Sequence, residues 1–187
     1  MKAKRLRAGR NRSVEVQDKA RQEKLRKLCG LRDSGQGRMG ADAVDAGENE
    51  FELKSATGNN VTTARDVGPH TVKKWRKRYW IVARGRNLQS GFKVDSIYLL
   101  HPKDLEGWFR RLEGRFADDQ RLLSHAKRCL RKAGYPTEAI DRLNYLVLRG
   151  ITLNNPKIPW DYVNRFGTDI TRSPRESIRK FVRRRPI

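Results

Sequence analysis

Acidic residues are scarce in this chain: 21 Asp plus Glu stand against 43 Lys plus Arg, giving a formal charge of +22. That imbalance makes a polyanion the expected partner, with nucleic acid first among the candidates. Cysteine is nearly absent. Cys29 and Cys129 cannot build a disulfide framework and are expected as free thiols. No apolar run approaches the length of a bilayer span, so no membrane-spanning helix is expected. The opening Met1-Lys2-Ala3-Lys4-Arg5-Leu6-Arg7 lacks the apolar centre of a signal peptide, which points to an intracellular, cytoplasmic protein. Histidine is equally thin. His70 and His101 are isolated, and His125 with Cys129 makes half of a zinc site with no second half, so core or surface places suit them better.

The little acid present is concentrated. Asp42, Asp45, Glu48, Glu50 and Glu52 fall within Ala41–Ser55, a crowding that is costly unless a cation or solvent relieves it. Phe51-Glu52-Leu53-Lys54 alternates. As a strand it turns Phe51 and Leu53 to one face and Glu52 and Lys54 to the other. Gly47 marks a turn, making residues 41–56 a hairpin that brings Asp42 alongside. Two carboxylates on a hard divalent cation, with an ammonium next to it, suit metal-assisted phosphodiester chemistry. A lone Glu-x-Lys is more often a structural salt bridge than a metal site.

At 187 residues the chain fits one compact domain with appendages. Residues 1–13 read as a basic flexible arm, and 14–28 as a helix stopped by Cys29-Gly30. Ser34–Gly40 is a glycine-rich turn without the spacing of a phosphate-binding loop. Residues 57–70 form a polar loop, able to reach base edges or simply an ordinary surface loop. Val72–Arg78 reads as a short basic helix whose Lys73, Lys74 and Arg76 suit phosphate contacts, or a solvated face. Tyr79–Ala83 and Phe92–Leu100 read as antiparallel strands around a turn from Arg84 to Gly91. Pro102 opens a helix to about Phe116, and a helix pair follows, Asp118–Ala133 and Thr137–Arg149. Ile151–Leu153 reads as a short strand, Asn154–Pro159 as a stiff extended loop and Trp160–Phe166 as a helical turn. The basic Arg172–Ile187 is a helix or a loose arm. Trp and Tyr fall mostly on apolar faces, which makes them core residues rather than stacking platforms for bases.

Gly37-Arg38-Met39-Gly40-Ala41-Asp42-Ala43-Val44-Asp45 and Phe51-Glu52-Leu53-Lys54-Ser55 resemble the active-site region of the PvuII-like type II restriction endonucleases. Further matches in the same order are Tyr79-Trp80-Ile81, Pro102-Lys103-Asp104-Leu105-Glu106, Asn154–Pro159, Tyr162-Val163 and Gly167-Thr168. The resemblance implies an α/β protein with a restriction-endonuclease-like PD-(D/E)xK core over residues 14–171, a mixed central β-sheet flanked by helices. Residues 117–150 would be an inserted helix pair and 172–187 a basic tail. It implies Asp42 and Glu52 as metal-binding carboxylates, the Leu53 carbonyl as a further ligand, Lys54 as the catalytic lysine, and Mg2+ as the cofactor. Ala41 replaces the proline of the superfamily name, at a position that is not a ligand.

The implied activity is sequence-specific cleavage of double-stranded DNA leaving 5′-phosphates, by a homodimer, with a cognate DNA methyltransferase acting on the same site. The family's histidine-rich base-reading stretch is missing; Thr63, Arg65 and Asp66 stand there, which implies a different recognition sequence. Asn155 corresponds to a family position near the major groove. A phage or homing nuclease of the same core, and a non-catalytic basic nucleic-acid-binding protein, are the alternatives.

Overall fold

In the computed structural model the described residues are 19–36, 40–140, 153 and 155–187. The predicted arm 1–13, the start of the first helix, most of the helix 137–149, Ile151-Thr152 and Asn154 lie outside them.

The element that organises the fold is the catalytic-strand candidate, β2 (Glu50–Ala56). It pairs antiparallel with the short β1 (Ala43–Val44), so the predicted hairpin forms. On its other edge β2 runs parallel to β4 (Tyr79–Leu88), which pairs antiparallel with β5 (Gly91–Leu100). β7 (Thr168–Asp169) closes a five-stranded mixed sheet in the order β1-β2-β4-β5-β7. Helix α1 (residues 19–29) ends at Gly30, whose φ of 67° is the left-handed stop that glycine supplies cheaply.

Alternation along β2 and β4 divides the interior in two. Phe51, Leu53, Tyr79, Ile81 and Ala83 face α1 and the last helix, α6 (Pro174–Arg184), in a cluster with Leu25, Cys29 and Ile178. Ala56, Trp80 and Val82 face the opposite cluster, with Val72, Trp75, Leu105, Trp108 and Phe109. The four tryptophans are buried, Trp75 stacking on Trp108 with ring centres 5.8 Å apart. They are core residues, as expected. The Cys29 thiol is pushed up to about 12 by burial, so it is inert as well as unpaired.

Several local expectations need correction. The turn expected from Arg84 to Gly91 is mostly strand, because Gly85 marks a bulge rather than a turn. The register shifts there, and a Cβ on Gly85 would lie 2.1 Å from the Lys93 carbonyl oxygen. The 57–70 loop contains β3 (Asn60–Thr62), and the extended loop expected at Asn154–Pro159 contains β6 (Lys157–Pro159). They form a separate antiparallel pair around the buried Val61 and Ile158. The basic helix α2 spans Pro69–Trp75 instead of Val72–Arg78, starting where proline occupies its first turn.

The two helices expected at Pro102–Phe116 and Asp118–Ala133 are one. A short 3-10 turn, Pro102–Leu105, capped by His101, leads straight into α3 (Glu106–Lys132). No glycine or proline interrupts it at Ala117, and Phe116 and Leu123 continue the buried stripe of Trp108, Phe109 and Leu112. Residues 137–140 are helical (α4), and α5 (Trp160–Phe166) forms as expected.

The C-terminal basic stretch is a docked helix. Ile178 of α6 is buried against the sheet, Arg185 forms a two-pronged ion pair with Asp104 at 2.6 and 2.8 Å, and the Tyr79 hydroxyl donates to the Arg185 carbonyl at 2.7 Å.

Candidate active site

β1 spans only Ala43–Val44, so β2 loses its strand partner on that side just where Glu52, Leu53 and Lys54 follow. Asp42 replaces that partner. Its backbone N–H donates to the Phe51 carbonyl at 3.0 Å, and its Oδ2 accepts from the Leu53 N–H at 2.8 Å. A residue's N–H and C=O leave a strand on the same edge, so the Leu53 carbonyl points to the edge where Asp42 sits. Helix α1 reaches over the same residue, Gln22 donating to Asp42 Oδ1 at 3.2 Å and Arg26 to the Asp42 carbonyl at 3.3 Å.

Glu52 and Lys54 share the β2 face that carries Ala56, as the alternation requires. The Lys54 ammonium lies 2.7 Å from Glu52 Oε1 and 3.4 Å from Asp42 Oδ2. Burial works against a charged amine here, but the Glu52 and Asp42 carboxylates outweigh it and hold Lys54 above the ordinary lysine range. Lys54 is therefore a cation at neutral pH. The two carboxylates converge on one point, and the protein's own cation stands at it.

The other oxygen of Glu52, Oε2, accepts from Arg78 Nη1 at 3.1 Å, while Arg78 Nε donates to Glu50 Oε2 at 3.0 Å. Burial opposes the Glu50 charge, yet hydrogen bonds from Gln36 and Arg78 hold its carboxyl below the usual range. Gln22 and Gln36 carry no signal in the sequence, and Arg78 reads there as one more phosphate-contacting cation of the basic helix, whereas the structure turns it inward onto Glu50 and Glu52. Arg78 ends a run of cations that look alike, and only the pairing of Glu52 with Trp80 brings it under the glutamate.

The remaining candidates separate into two groups. Thr63 donates its hydroxyl to the Pro156 carbonyl at 2.6 Å, and the Asn155 N–H donates to the Ala64 carbonyl at 3.1 Å. The loop bearing the exposed Arg65 and Asp66 thus lies against the Asn155 segment, though far from it in sequence. Asp66 and Asn155 both adopt positive φ, 56° and 52°, a conformation asparagine and aspartate tolerate best among residues with side chains. Lys73, Lys74 and Arg76 lie instead on and just after α2. Lys73 is exposed and Lys74 acts electrostatically on Glu50. Arg76 is committed within the molecule, lying 3.1 Å from both Glu106 oxygens and 2.9 Å from Glu113 Oε2.

Among the described residues no three His, Cys, Asp or Glu side chains gather around one point. A cation at Asp42 and Glu52 would rest on two carboxylates and take its other ligands from backbone and solvent, a pattern Mg2+ favours because it keeps several waters. His125 and Cys129 do meet on α3, Sγ to Nε2 at 3.6 Å, with no third His, Cys, Asp or Glu joining them among the described residues. Among the described residues no helix is long and apolar enough to cross a membrane.

Two carboxylates and an amine, largely buried where β1 ends beside β2, form an arrangement suited to holding a hard cation beside a phosphodiester. The family model of the restriction endonuclease PvuII matches residues 16–131, from α1 through nearly all of α3 and including Asp42, Glu52 and Lys54. The match covers more than half of the chain, the sheet has the restriction-endonuclease-like form, and the chain belongs to the PvuII restriction endonuclease family.

Proposed function

We propose that this protein is a Mg2+-dependent, sequence-specific endonuclease of the type II restriction class, cutting double-stranded DNA to leave 5′-phosphates. The observation that carries this reading is the convergence of Asp42, Glu52 and Lys54 on one point where β1 ends beside β2. Glu52 Oε1, an Asp42 carboxylate oxygen and the Leu53 carbonyl would hold the ion. All are hard oxygen donors, and the ammonium bridging the two carboxylates supports their use as a cation site. When bound, Mg2+ supplies an acidified water and charge neutralisation at the scissile phosphate.

The protein's residues account for the rest. The α1 contacts from Gln22 and Arg26, with the Leu53 N–H, fix the Asp42 carboxylate. Lys54, held protonated, stabilises the negative charge that builds on the phosphorane oxygens and orients the attacking water. Lys73 and Lys74 contact backbone phosphates and place the duplex. Arg76 joins them only by exchanging its Glu106 and Glu113 partners for a phosphate. Arg65 grips guanine O6 and N7, Asp66 accepts from cytosine N4, and Thr63 and Asn155 complete the base-reading surface. A homodimer sets one such site on each strand of a two-fold symmetric sequence, and a methyltransferase of matching specificity shields host DNA in the cytoplasm.

Plasmid DNA incubated with Mg2+, with Ca2+ and with EDTA, alongside Lys54→Ala, tests this reading. Discrete fragments with ligatable 5′-phosphate ends are expected only with Mg2+ and the intact lysine. Gel retardation without cutting under every condition would overturn the reading in favour of a non-catalytic DNA-binding protein.

A further inference from the structure

We infer that Arg78 sets which divalent cation the carboxylate pair accepts, by tying down one oxygen of Glu52; the inference rests on Asp42 and Glu52 forming the metal site. The two oxygens of Glu52 are engaged on opposite sides. Oε1 faces the Lys54 ammonium, which also contacts Asp42, whereas Oε2 is bound by Arg78. Glu52 and Arg78 are each only 7% exposed, and a buried ion pair of this kind does not open without leaving a charge uncompensated.

Arg78 is itself anchored. It donates to Glu50 Oε2, and the other Glu50 oxygen accepts from Gln36 Nε2 at 3.0 Å. Behind it the chain enters β4, whose Trp80 is in register with Glu52, so the guanidinium cannot drift along the strand. Arg78 and Glu50 together add no net charge. What they add is orientation.

Glu52 therefore presents a single oxygen to the site. Mg2+ is small, binds through one or two carboxylates and keeps its waters. Ca2+ takes more ligands at longer distances and readily draws both oxygens of a carboxylate. A Glu52 held to one oxygen disfavours the larger ion. Releasing Oε2 removes that bias.

Isothermal titration calorimetry of Mg2+ and of Ca2+ into the wild-type chain and Arg78→Met tests the assignment. Both ions carry two charges, so the lost guanidinium acts on them alike and cancels in the ratio of affinities, leaving geometry as the readout. The ratio is expected to move toward Ca2+ by about tenfold in Arg78→Met, within the range that outer-shell partners of metal ligands command. Arg78→Lys, which keeps a donor for Oε2, should restore part of the bias. An unchanged ratio in folded Arg78→Met overturns the inference. If that variant melts below the assay temperature, Glu50→Gln, which loosens the anchor of Arg78, must shift the ratio in the same direction; no shift there overturns it equally. Wild-type protein that binds neither ion, or binding that persists in Asp42→Asn/Glu52→Gln, would remove the metal site itself and this inference with it.

Discussion

The two faces of β2 are built from one stretch of seven residues and do opposite work. On one face Phe51 and Leu53 are sealed between α1 and α6, with Phe51 stacked on Tyr79 at 5.4 Å. On the other, Glu50, Glu52 and Lys54 are bound into a network with Asp42 and Arg78 at the edge of the sheet. The apolar face gains from removing hydrocarbon from water. The polar face gains little net stability from burying opposed charges. Strand alternation lets the chain hold a charged site rigid, because the residues between the charges are locked into the core.

If that division is right, the two faces break differently. Phe51→Ala should cost about 3–5 kcal/mol of stability, read from urea unfolding, while the fraction still folded keeps its metal dependence. A loss below about 1 kcal/mol would mean that the strand is not anchored from behind. Lys54→Ala is expected to slow single-turnover cleavage by about 10²–10³-fold, with the same order of fragments recovered and circular dichroism unchanged. Cleavage at the wild-type rate would show the amine to be a structural counter-ion only.

Further from the strand the expected effects shrink. Arg65→Ala should lose about 1–3 kcal/mol of discrimination at one base pair, measured by cleavage of oligonucleotides altered one position at a time, with no change in melting temperature. Unaltered specificity would remove Arg65 from base reading. The smallest effect concerns the brace between Arg76 and α3. Arg76 holds the carboxyls of Glu106 and Glu113 below the ordinary glutamate value of 4.5. Carboxyls lowered by folding contribute stability above that value, and the contribution is lost as pH falls through the depressed folded values. All three side chains are partly exposed, so solvent screening keeps the effect small. Melting curves from neutral pH into the acid range should fall less steeply for Arg76→Met than for wild type; parallel curves would count against the brace.

The same contrast explains what could be read from the residues alone. Alternation is local, so Phe51 through Lys54 announced both a strand and the shared face of Glu52 and Lys54, and Gly47 announced the turn that returns Asp42. Arg78 was hidden because Lys73, Lys74, Arg76, Lys77 and Arg78 are chemically alike in a row. Their differences come from partners distant in sequence, Glu106 and Glu113 for Arg76 and Glu50 and Glu52 for Arg78. β3 and β6 were equally hidden, since a three-residue strand carries no period and each is defined by the other. Gly85 misled for a specific reason: glycine serves a crowded bulge as readily as a turn, and only the cross-strand approach of the Lys93 carbonyl distinguishes them.

The docking of α6 has a temporal consequence. Synthesis proceeds from the amino end, so Asp42, Glu52 and Lys54 emerge from the ribosome long before Ile170 and Ile178, which cover the far side of their strand. A nascent chain carries these three side chains early but lacks the backing that keeps them aligned. Alignment of the three side chains is thereby deferred until α6 has been made, and a proteolytic nick ahead of Pro174 would return the molecule to that unsupported condition.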